Sequence, residues 1–236
     1  MKKLSIIEIY EKYGTADCLG GYTTIKYLKR CEGYSAAKER GDIPAADSVI
    51  KKCASADKLQ LIKAKYPDAF LLPVLKENNA LPLCLCINIG LPICLSALCV
   101  NTHKRKNMPA IQRILKKPVF CGEIIPGKNY ILVDDVITQG GTISSLMQFV
   151  SQRGGKISAI LSLAYARGSK KIIPTRENLA KLKQRFGKKL TDFFEEYGLG
   201  DDAAEQLTNS EILYLMKFSN VENIRKKTYN IIRQKD

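Results

Sequence analysis

Histidine and regularly spaced cysteine pairs are scarce in this chain of 236 residues. His103 is the only histidine, and no two of the eight cysteines form a Cys-x-x-Cys pair. A zinc site built on Cys84 and Cys86 would lack the usual ligand spacing. These two, with Cys94 and Cys99, lie in apolar runs, where a free thiol behaves as a small core residue. We therefore expect core thiols in a reducing cytoplasm rather than a disulfide framework.

We expect neither a signal peptide nor a membrane span. Glu8 interrupts the first apolar residues, which argues against a signal-peptide core. Residues 81–100 carry no charge and are as long as a membrane span, but Pro82, Gly90 and Pro92 break them and Asn88 lies near their middle. This pattern favours a buried helix at residues 80–89, followed by a buried strand at residues 91–100. We expect a cytoplasmic protein with no membrane contact.

Acidic residues are outnumbered by basic ones. The 38 Lys and Arg against 23 Asp and Glu give a net charge of +15, which attracts phosphates of any kind. Apolar residues make up 45% of the chain and charged residues 26%, as in a folded globular protein. The length suits one core domain with sizeable appendages.

Strand and helix patterns alternate only in the middle of the chain. Residues 1–65 are predicted to form a lysine-rich helical N-terminal extension, residues 66–168 an α/β core, and residues 169–236 a helical C-terminal extension. In the core, apolar strands are expected at residues 70–74, 119–125, 130–133 and 157–164, and a helix at residues 143–150. Such alternation predicts a mostly parallel sheet flanked by helices. Both extensions are expected to pack on this sheet, because neither has a rich core of its own.

Residues 130–143 are the segment whose sequence indicates a ligand-binding site. A buried strand leads into Asp134 and Asp135, then a loop of small residues, then a helix, and ligands of α/β sheets bind at such carboxyl ends of strands. Gly140 and Gly141 allow backbone N–H groups to approach a phosphate, and the helix N-terminus directs further donors to it. Two carboxylates beside a phosphate cradle suit the hydroxyls of an attached sugar. The segment therefore predicts a sugar-phosphate site.

This segment resembles the 5-phosphoribosyl-1-pyrophosphate (PRPP) signature of the type I phosphoribosyltransferases, in which an acidic pair precedes a Thr-containing turn, Gly and Thr. The resemblance implies that Asp134 and Asp135 hold the ribose, contribute to catalysis and bind Mg²⁺. It also implies a phosphate cradle, with Gln139 where the family often has Thr. The cradle and its flank comprise these candidate substrate-binding residues: Val136, Ile137, Thr138, Gln139, Gly140, Gly141 and Thr142.

The resemblance extends to two further loops. Residues 71–79 fit the family's pyrophosphate loop, which makes Lys76 a candidate catalytic residue and Glu77 a candidate substrate-binding residue. The basic residues 101–117 fit its mobile loop, with Arg105 and Arg113 as candidate substrate contacts. Residues 77–82, taken with residues 207–211 and 224–225, look like uncharacterised bacterial phosphoribosyltransferase-like proteins. Either extension is a candidate for the hood that selects the acceptor.

The resemblance implies a Mg²⁺-dependent phosphoribosyltransferase of nucleotide metabolism. It would transfer the phosphoribosyl group of PRPP to a small, nucleobase-like acceptor and release pyrophosphate. Two alternatives stay open: a PRPP-sensing regulator that binds nucleic acid, which the charge of +15 would suit, and a non-catalytic module with the same fold. No nucleic-acid-binding motif is present, and a homodimer is one possible assembly.

Overall fold

The computed structural model describes residues 5–13, 17–100 and 108–233. Within these residues the helices and strands follow one another in this order: α1 (Ile6–Tyr13), β1 (Asp17–Gly20), α2 (Ile25–Leu28), α3 (Tyr34–Glu39), α4 (Ile43–Cys53), α5 (Ala56–Lys65), β2 (Phe70–Pro73), α6 (Leu81–Ile89), β3 (Ala97–Cys99), α7 (Ala110–Leu115), β4 (Phe120–Gly122), β5 (Asn129–Ile137), α8 (Gly141–Gln152), β6 (Lys156–Tyr165), α9 (Arg176–Phe186), α10 (Lys188–Glu196), α11 (Asn209–Leu215) and α12 (Val221–Arg233).

A four-stranded parallel sheet with the order β1-β6-β5-β2 forms the centre of the protein. The longest strands, β5 and β6, lie side by side, and α8 connects them, as parallel neighbours require a crossover. Helices cover the sheet, which confirms the predicted α/β class. The predicted strands at residues 70–74, 130–133 and 157–164 are present as β2, β5 and β6.

Each face of the sheet contributes to its own apolar core. Ile131 and Val133 of β5 point to one face, where they pack with residues of α4, α5 and α6. Tyr130 and Leu132 point to the other face and pack with residues of α8. This alternation follows from the two-residue period of a strand. Since both sides of β5 are buried, its sequence is a continuous apolar run until the carboxylates begin.

The C-terminal helices supply most of an apolar cluster that they share with α7, so the expectation that this extension lacks a core was wrong. Phe193 and Phe194 of α10 are fully buried there, with Ile212 of α11 and Ile224 of α12. The apolar residues of this extension are spaced at helical intervals and are dispersed along the sequence. They form a core only once several short helices are brought together.

The sequence pattern predicted that residues 1–65 are helical, but this segment also contains a strand. Residues Asp17–Gly20 form β1, which pairs in parallel with β6 at the edge of the sheet. A four-residue edge strand offers too little alternation to be recognised in the sequence. The predicted division at residues 65 and 168 remains a prediction, but part of the first segment belongs to the sheet.

Two predictions for residues 91–117 need correction. The helix at residues 80–89 is confirmed as α6, whereas the buried strand at residues 91–100 is reduced to β3, and Leu98 within it is half-exposed. β3 pairs with β4 in a separate two-stranded sheet that does not bury both faces. Residues 101–107 lie outside the described residues. Residues 110–115 form α7 rather than a loop, because Ile111 and Ile114 pack into the C-terminal cluster.

No disulfide joins any of the eight cysteines, all of which lie in the described ranges. Cys84 and Cys86 are buried in α6 as predicted, while Cys94 and Cys99 are only half-buried. Across the described ranges, no helix combines the length and the apolar character that a membrane crossing requires.

Candidate functional site

The acidic pair lies in the paired part of β5, near the carboxyl end of the strand, and not in the loop that follows it. Asp134 is opposite Ser162 of β6, and the ladder continues through Val136 and Ile137 before the strand ends. β5 extends this far because β6 offers backbone partners up to Tyr165. Asp134 is 4% exposed and Asp135 1% exposed. Two adjacent carboxylates are therefore held on rigid backbone at the carboxyl end of a central strand.

Asp135 is held by residues from two other segments. Its Oδ2 forms an ion pair with Lys38 of α3, and its Oδ1 accepts a hydrogen bond of 3.3 Å from the side-chain amide of Asn79. Burial alone would raise the pKa of Asp135, but the charge and hydrogen bond of Lys38 hold it below its ordinary value. Burial alone would likewise lower the pKa of Lys38, and the charges of Asp135 and Asp134 raise it instead. Asp135 is thus a stabilised carboxylate.

Asp134 has the opposite electrostatic character. Burial raises its pKa to about 7, with the positive charge of Lys76 lowering it and the negative charge of Asp135 raising it further. Its Oδ1 accepts a hydrogen bond of 3.0 Å from the backbone N–H of Asp135. The pair therefore contains one carboxylate that is ionised and satisfied, and one carboxyl group that titrates near neutrality.

The loop after β2 approaches the acidic pair. Asn79 reaches Asp135 directly, and the charge of Lys76 acts on the pKa values of both acids. Two backbone hydrogen bonds tie the loop to the α3 region, from Gly41 N–H to the Asn78 carbonyl and from Ala80 N–H to the Ala37 carbonyl, each 2.9 Å. Glu77 is exposed on this loop. The loop and α3 therefore form one structural unit beside the carboxylates.

The predicted phosphate cradle is a short turn that leads into α8. Gly140 adopts φ +80°, a left-handed conformation that favours glycine, and α8 begins at Gly141. Thr138 is exposed, while Thr142 lies half-buried in the first turn of the helix. The first N–H groups of a helix have no intrahelical partner, so a phosphate at the start of α8 would accept hydrogen bonds from them.

Residues from distant segments hold this turn in place. Arg113 of α7 donates from Nη1 to the Thr138 hydroxyl at 3.1 Å and from Nε to the Met108 carbonyl at 2.8 Å. Thr208 donates from Oγ1 to the Gln139 carbonyl at 2.5 Å and also caps α11. The turn is therefore pre-organised by α7 on one side and by the start of α11 on the other.

A cleft of about 570 Å³ opens beside the turn. Gln139 lines it together with three cationic residues, Arg113, Arg167 and Lys217. Arg167 and Lys217 are exposed. Positive charge thus surrounds the position where the resemblance places a phosphate.

The predicted site residues divide into several groups. The structure brings Asp134, Asp135 and Lys76 together, and Arg113 reaches the turn. Val136 and Ile137 belong to β5. The Ile137 side chain is part of the core on one face of the sheet, and the half-buried Val136 side chain packs against the core on the other face. Glu77 is near the site but exposed, and Arg105 lies outside the described residues.

Sequence reasoning did not identify Lys38, Tyr34, Thr208, Arg167 or Lys217. Burial raises the pKa of Tyr34 to about 12, and the charge of Asp135 adds to this effect, which places the phenol near the acidic pair. Lys38, Arg167 and Lys217 have no local signal, since the chain contains 38 Lys and Arg residues without a distinguishing pattern. Thr208 and Glu211 have the spacing of a helix capping box, which marks the start of α11 but not a contact with the turn. Asn79 was recognisable as part of the loop after β2, but not as a partner of Asp135.

Within the described ranges, no three metal-ligating side chains from His, Cys, Asp or Glu lie together. The two carboxylates are nevertheless the kind of ligands that Mg²⁺ uses, because it commonly takes one or two carboxylates and completes its shell with water and substrate phosphates. The acidic pair fits a cation that arrives with its ligand better than one bound permanently by the protein.

The protein is similar to two solved phosphoribosyltransferase structures. An adenine phosphoribosyltransferase aligns with a TM-score of 0.34 and 15% identity, over 52% of this chain and 82% of that chain. A purine phosphoribosyltransferase from Pyrococcus horikoshii Ot3 aligns with a TM-score of 0.33 and 16% identity, over 47% of this chain and 80% of that chain.

Among curated proteins, the chain is similar to Protein TraN of Escherichia coli. The two are 30% identical over 203 residues, which cover 81% of this chain and 44% of TraN. The chain therefore spans less than half the length of this relative. No family model matches the sequence.

Proposed function

We propose that the protein binds PRPP at the carboxyl end of β5 and transfers its phosphoribosyl group to a small, nucleobase-like acceptor, with release of pyrophosphate. The observation that carries the proposal is the direct succession of a buried acidic pair, a left-handed glycine turn and a helix N-terminus. The acids suit sugar hydroxyls, and the turn suits the phosphate attached to the same sugar.

Each part of PRPP has a matching group in this arrangement. The 5-phosphate would accept hydrogen bonds from the turn and the first N–H groups of α8, next to the positive charge of Arg113. The ribose hydroxyls would donate to the carboxyl oxygens of Asp134 and Asp135. The pyrophosphate would lie toward the loop after β2, where Lys76 offers a positive charge.

The displacement at the anomeric carbon separates charge. Positive charge develops on the ribose ring as the bond to pyrophosphate breaks, and the carboxylates below the ring would stabilise it. Negative charge grows on the leaving pyrophosphate, which Lys76 would stabilise from the loop. Mg²⁺, when bound with PRPP to the acidic pair, would neutralise pyrophosphate oxygens and orient the leaving group.

The acceptor would enter from the side covered by α3. Tyr34 and Lys38 of this helix lie near the acidic pair, so the N-terminal segment supplies a cover over the ribose end of the site. Residues of α7 and α11 surround the phosphate end instead. Because the N-terminal segment lies at the ribose end and the C-terminal helices lie at the phosphate end, the N-terminal segment is the better candidate for the hood that selects the acceptor.

Calorimetric titration with PRPP, with and without Mg²⁺, tests the proposal first. We expect binding that requires Mg²⁺ and that is lost in the double variant Asp134→Asn/Asp135→Asn, whereas the exposed control Asp201→Asn keeps it. A screen of nucleobases for pyrophosphate release then tests transfer. Binding of PRPP without release from any base would favour a sensor or a non-catalytic module, and no binding at all would refute the site.

Nucleic-acid binding is the second candidate, and the net charge of +15 favours it. Exposed Arg167 and Lys217 extend the positive surface beyond the turn. Binding to RNA or DNA that persists at physiological salt and weakens steeply above it would support a regulator. PRPP would then be expected to change this affinity, because the two ligands share the basic cleft.

A further inference from the structure

Lys38 provides the ion-pair partner of Asp135 in the site, and it comes from a helix 97 residues earlier in the chain. Its position is determined by packing. Ala37 beside it is fully buried, and the carbonyl of Ala37 accepts a hydrogen bond of 2.9 Å from Ala80 N–H. The backbone of α3 is therefore anchored at this point, and the ammonium is brought to the carboxylate.

The ion pair occupies a carboxylate oxygen that a cation would use. Lys38 takes Oδ2 of Asp135, and Asn79 takes Oδ1. A Mg²⁺ ion that bound Oδ2 would lie beside the ammonium group of Lys38, and the two positive charges would repel each other. Cation binding and the Lys38–Asp135 pair are consequently in competition.

The ammonium group of Lys38 can leave Asp135 while α3 stays in place. The Lys38 side chain is 30% exposed, whereas that of Asp135 is 1% exposed. A lysine side chain has a flexible four-carbon stem, so rotation can carry the ammonium group into solvent while the anchored backbone stays in place. Asp135 has no such freedom, since it lies in a strand paired on both sides.

We propose that Lys38 is the resident cation of the acidic pair, which a divalent cation must displace from Asp135 before the sugar phosphate is fully bound. The inference rests on the proposed role of the acidic pair in holding Mg²⁺ with its ligand. Lys38 acts here as a positioning residue that keeps the empty site neutralised and lowers its affinity for free metal. The protein would thereby select a metal delivered with a phosphate ligand over a metal alone.

Mn²⁺ binding to the protein without PRPP tests this competition, with paramagnetic resonance of free Mn²⁺ as the readout. We expect Lys38→Met to bind Mn²⁺ about tenfold or more tightly than the parent protein, because the competing charge is gone. Lys38→Arg retains the charge and should bind as weakly as the parent. Lys51→Met is the matched control, since it removes an exposed lysine paired with Asp47. Equal or weaker binding by Lys38→Met would overturn the inference.

A measurement on the parent protein covers the case in which Lys38→Met does not fold. The rate of lysine acetylation at residue 38, followed by mass spectrometry, should rise several-fold as Mn²⁺ is added, while the rate at Lys51 stays constant. An unchanged rate at residue 38 up to metal concentrations that saturate the protein would contradict displacement. Neither readout uses PRPP, so a protein that fails to bind PRPP but shows both effects would refute the proposed function alone.

Discussion

Replacement of Asp134 by Asn should stabilise the unliganded protein, and more so at alkaline than at acidic pH. Burial raises the pKa of this carboxyl to about 7 in the folded protein, whereas an unfolded aspartate titrates near 4. The folded state therefore binds the proton more tightly, and stability falls as pH rises from the unfolded toward the folded pKa. An asparagine side chain does not titrate, so the variant does not lose stability in this way as the pH rises. Its Oδ1 can still accept the hydrogen bond from the Asp135 N–H.

The magnitude follows from the part of the pH range that lies between the two pKa values. Between pH 5 and pH 7 the loss is about 1.4 kcal/mol per unit, and above pH 7 it levels off. The stability advantage of Asp134→Asn should therefore be about 2–3 kcal/mol larger at pH 8 than at pH 5. For a chain of this size, that corresponds to about 5–10 °C in melting temperature.

Thermal and urea unfolding of the parent and variant at both pH values provides the measurement. Asp201→Asn is the control, since it makes the same chemical change at an exposed position. An advantage for Asp134→Asn that is equal at pH 5 and pH 8 would refute the reasoning. It would mean that this carboxyl does not titrate near neutrality in the folded state.

Three further predictions concern the contacts around the pair and the turn. Asp135→Asn should lower the free energy of unfolding by about 1–3 kcal/mol in urea titrations, because it removes the ion pair with Lys38 that lowers the pKa of Asp135 in the folded protein; an unchanged midpoint would contradict this. Thr208→Val and Thr175→Val each remove a helix cap and should lower the free energy of unfolding by about 1 kcal/mol. Only Thr208→Val should also weaken the binding of PRPP in calorimetry, since of these two threonines only Thr208 contacts the turn. Arg113→Gln should weaken the binding of PRPP about tenfold with little change in melting temperature. An unaltered affinity would show that Arg113 does not contact the 5-phosphate.

The sequence was sufficient to predict the central strands and the succession of acids, turn and helix. Residues 130–133 form a continuous apolar run, which is the pattern of a strand buried on both faces. Gly140 and the apolar spacing of Ile143, Leu146 and Val150 then indicate a turn and a helix. These signals are local, so they needed no knowledge of the rest of the chain.

The contacts that complete the site could not be predicted, because they depend on which distant segments the fold brings together. Lys38 and Asp135 are 97 residues apart, and Thr208 is 69 residues from Gln139. Lys38 lies in a six-residue helix whose sequence resembles many other lysine-containing helices. Its role depends on the buried Ala37 that fixes α3 against the loop after β2, and packing of this kind leaves no periodic mark in the sequence.

The distribution of charge explains how two adjacent carboxylates can lie buried beside a phosphate cradle. Asp135 is balanced by Lys38, and Asp134 has a raised pKa while the positive charge of Lys76 acts on it. The empty site is thus close to neutral or slightly positive near pH 7, although both acids belong to its floor. A polyanionic ligand therefore meets no net repulsion on approach. Once its accompanying cation neutralises the pair, Lys38 is no longer needed at Asp135 and becomes available to the ligand's own negative charge.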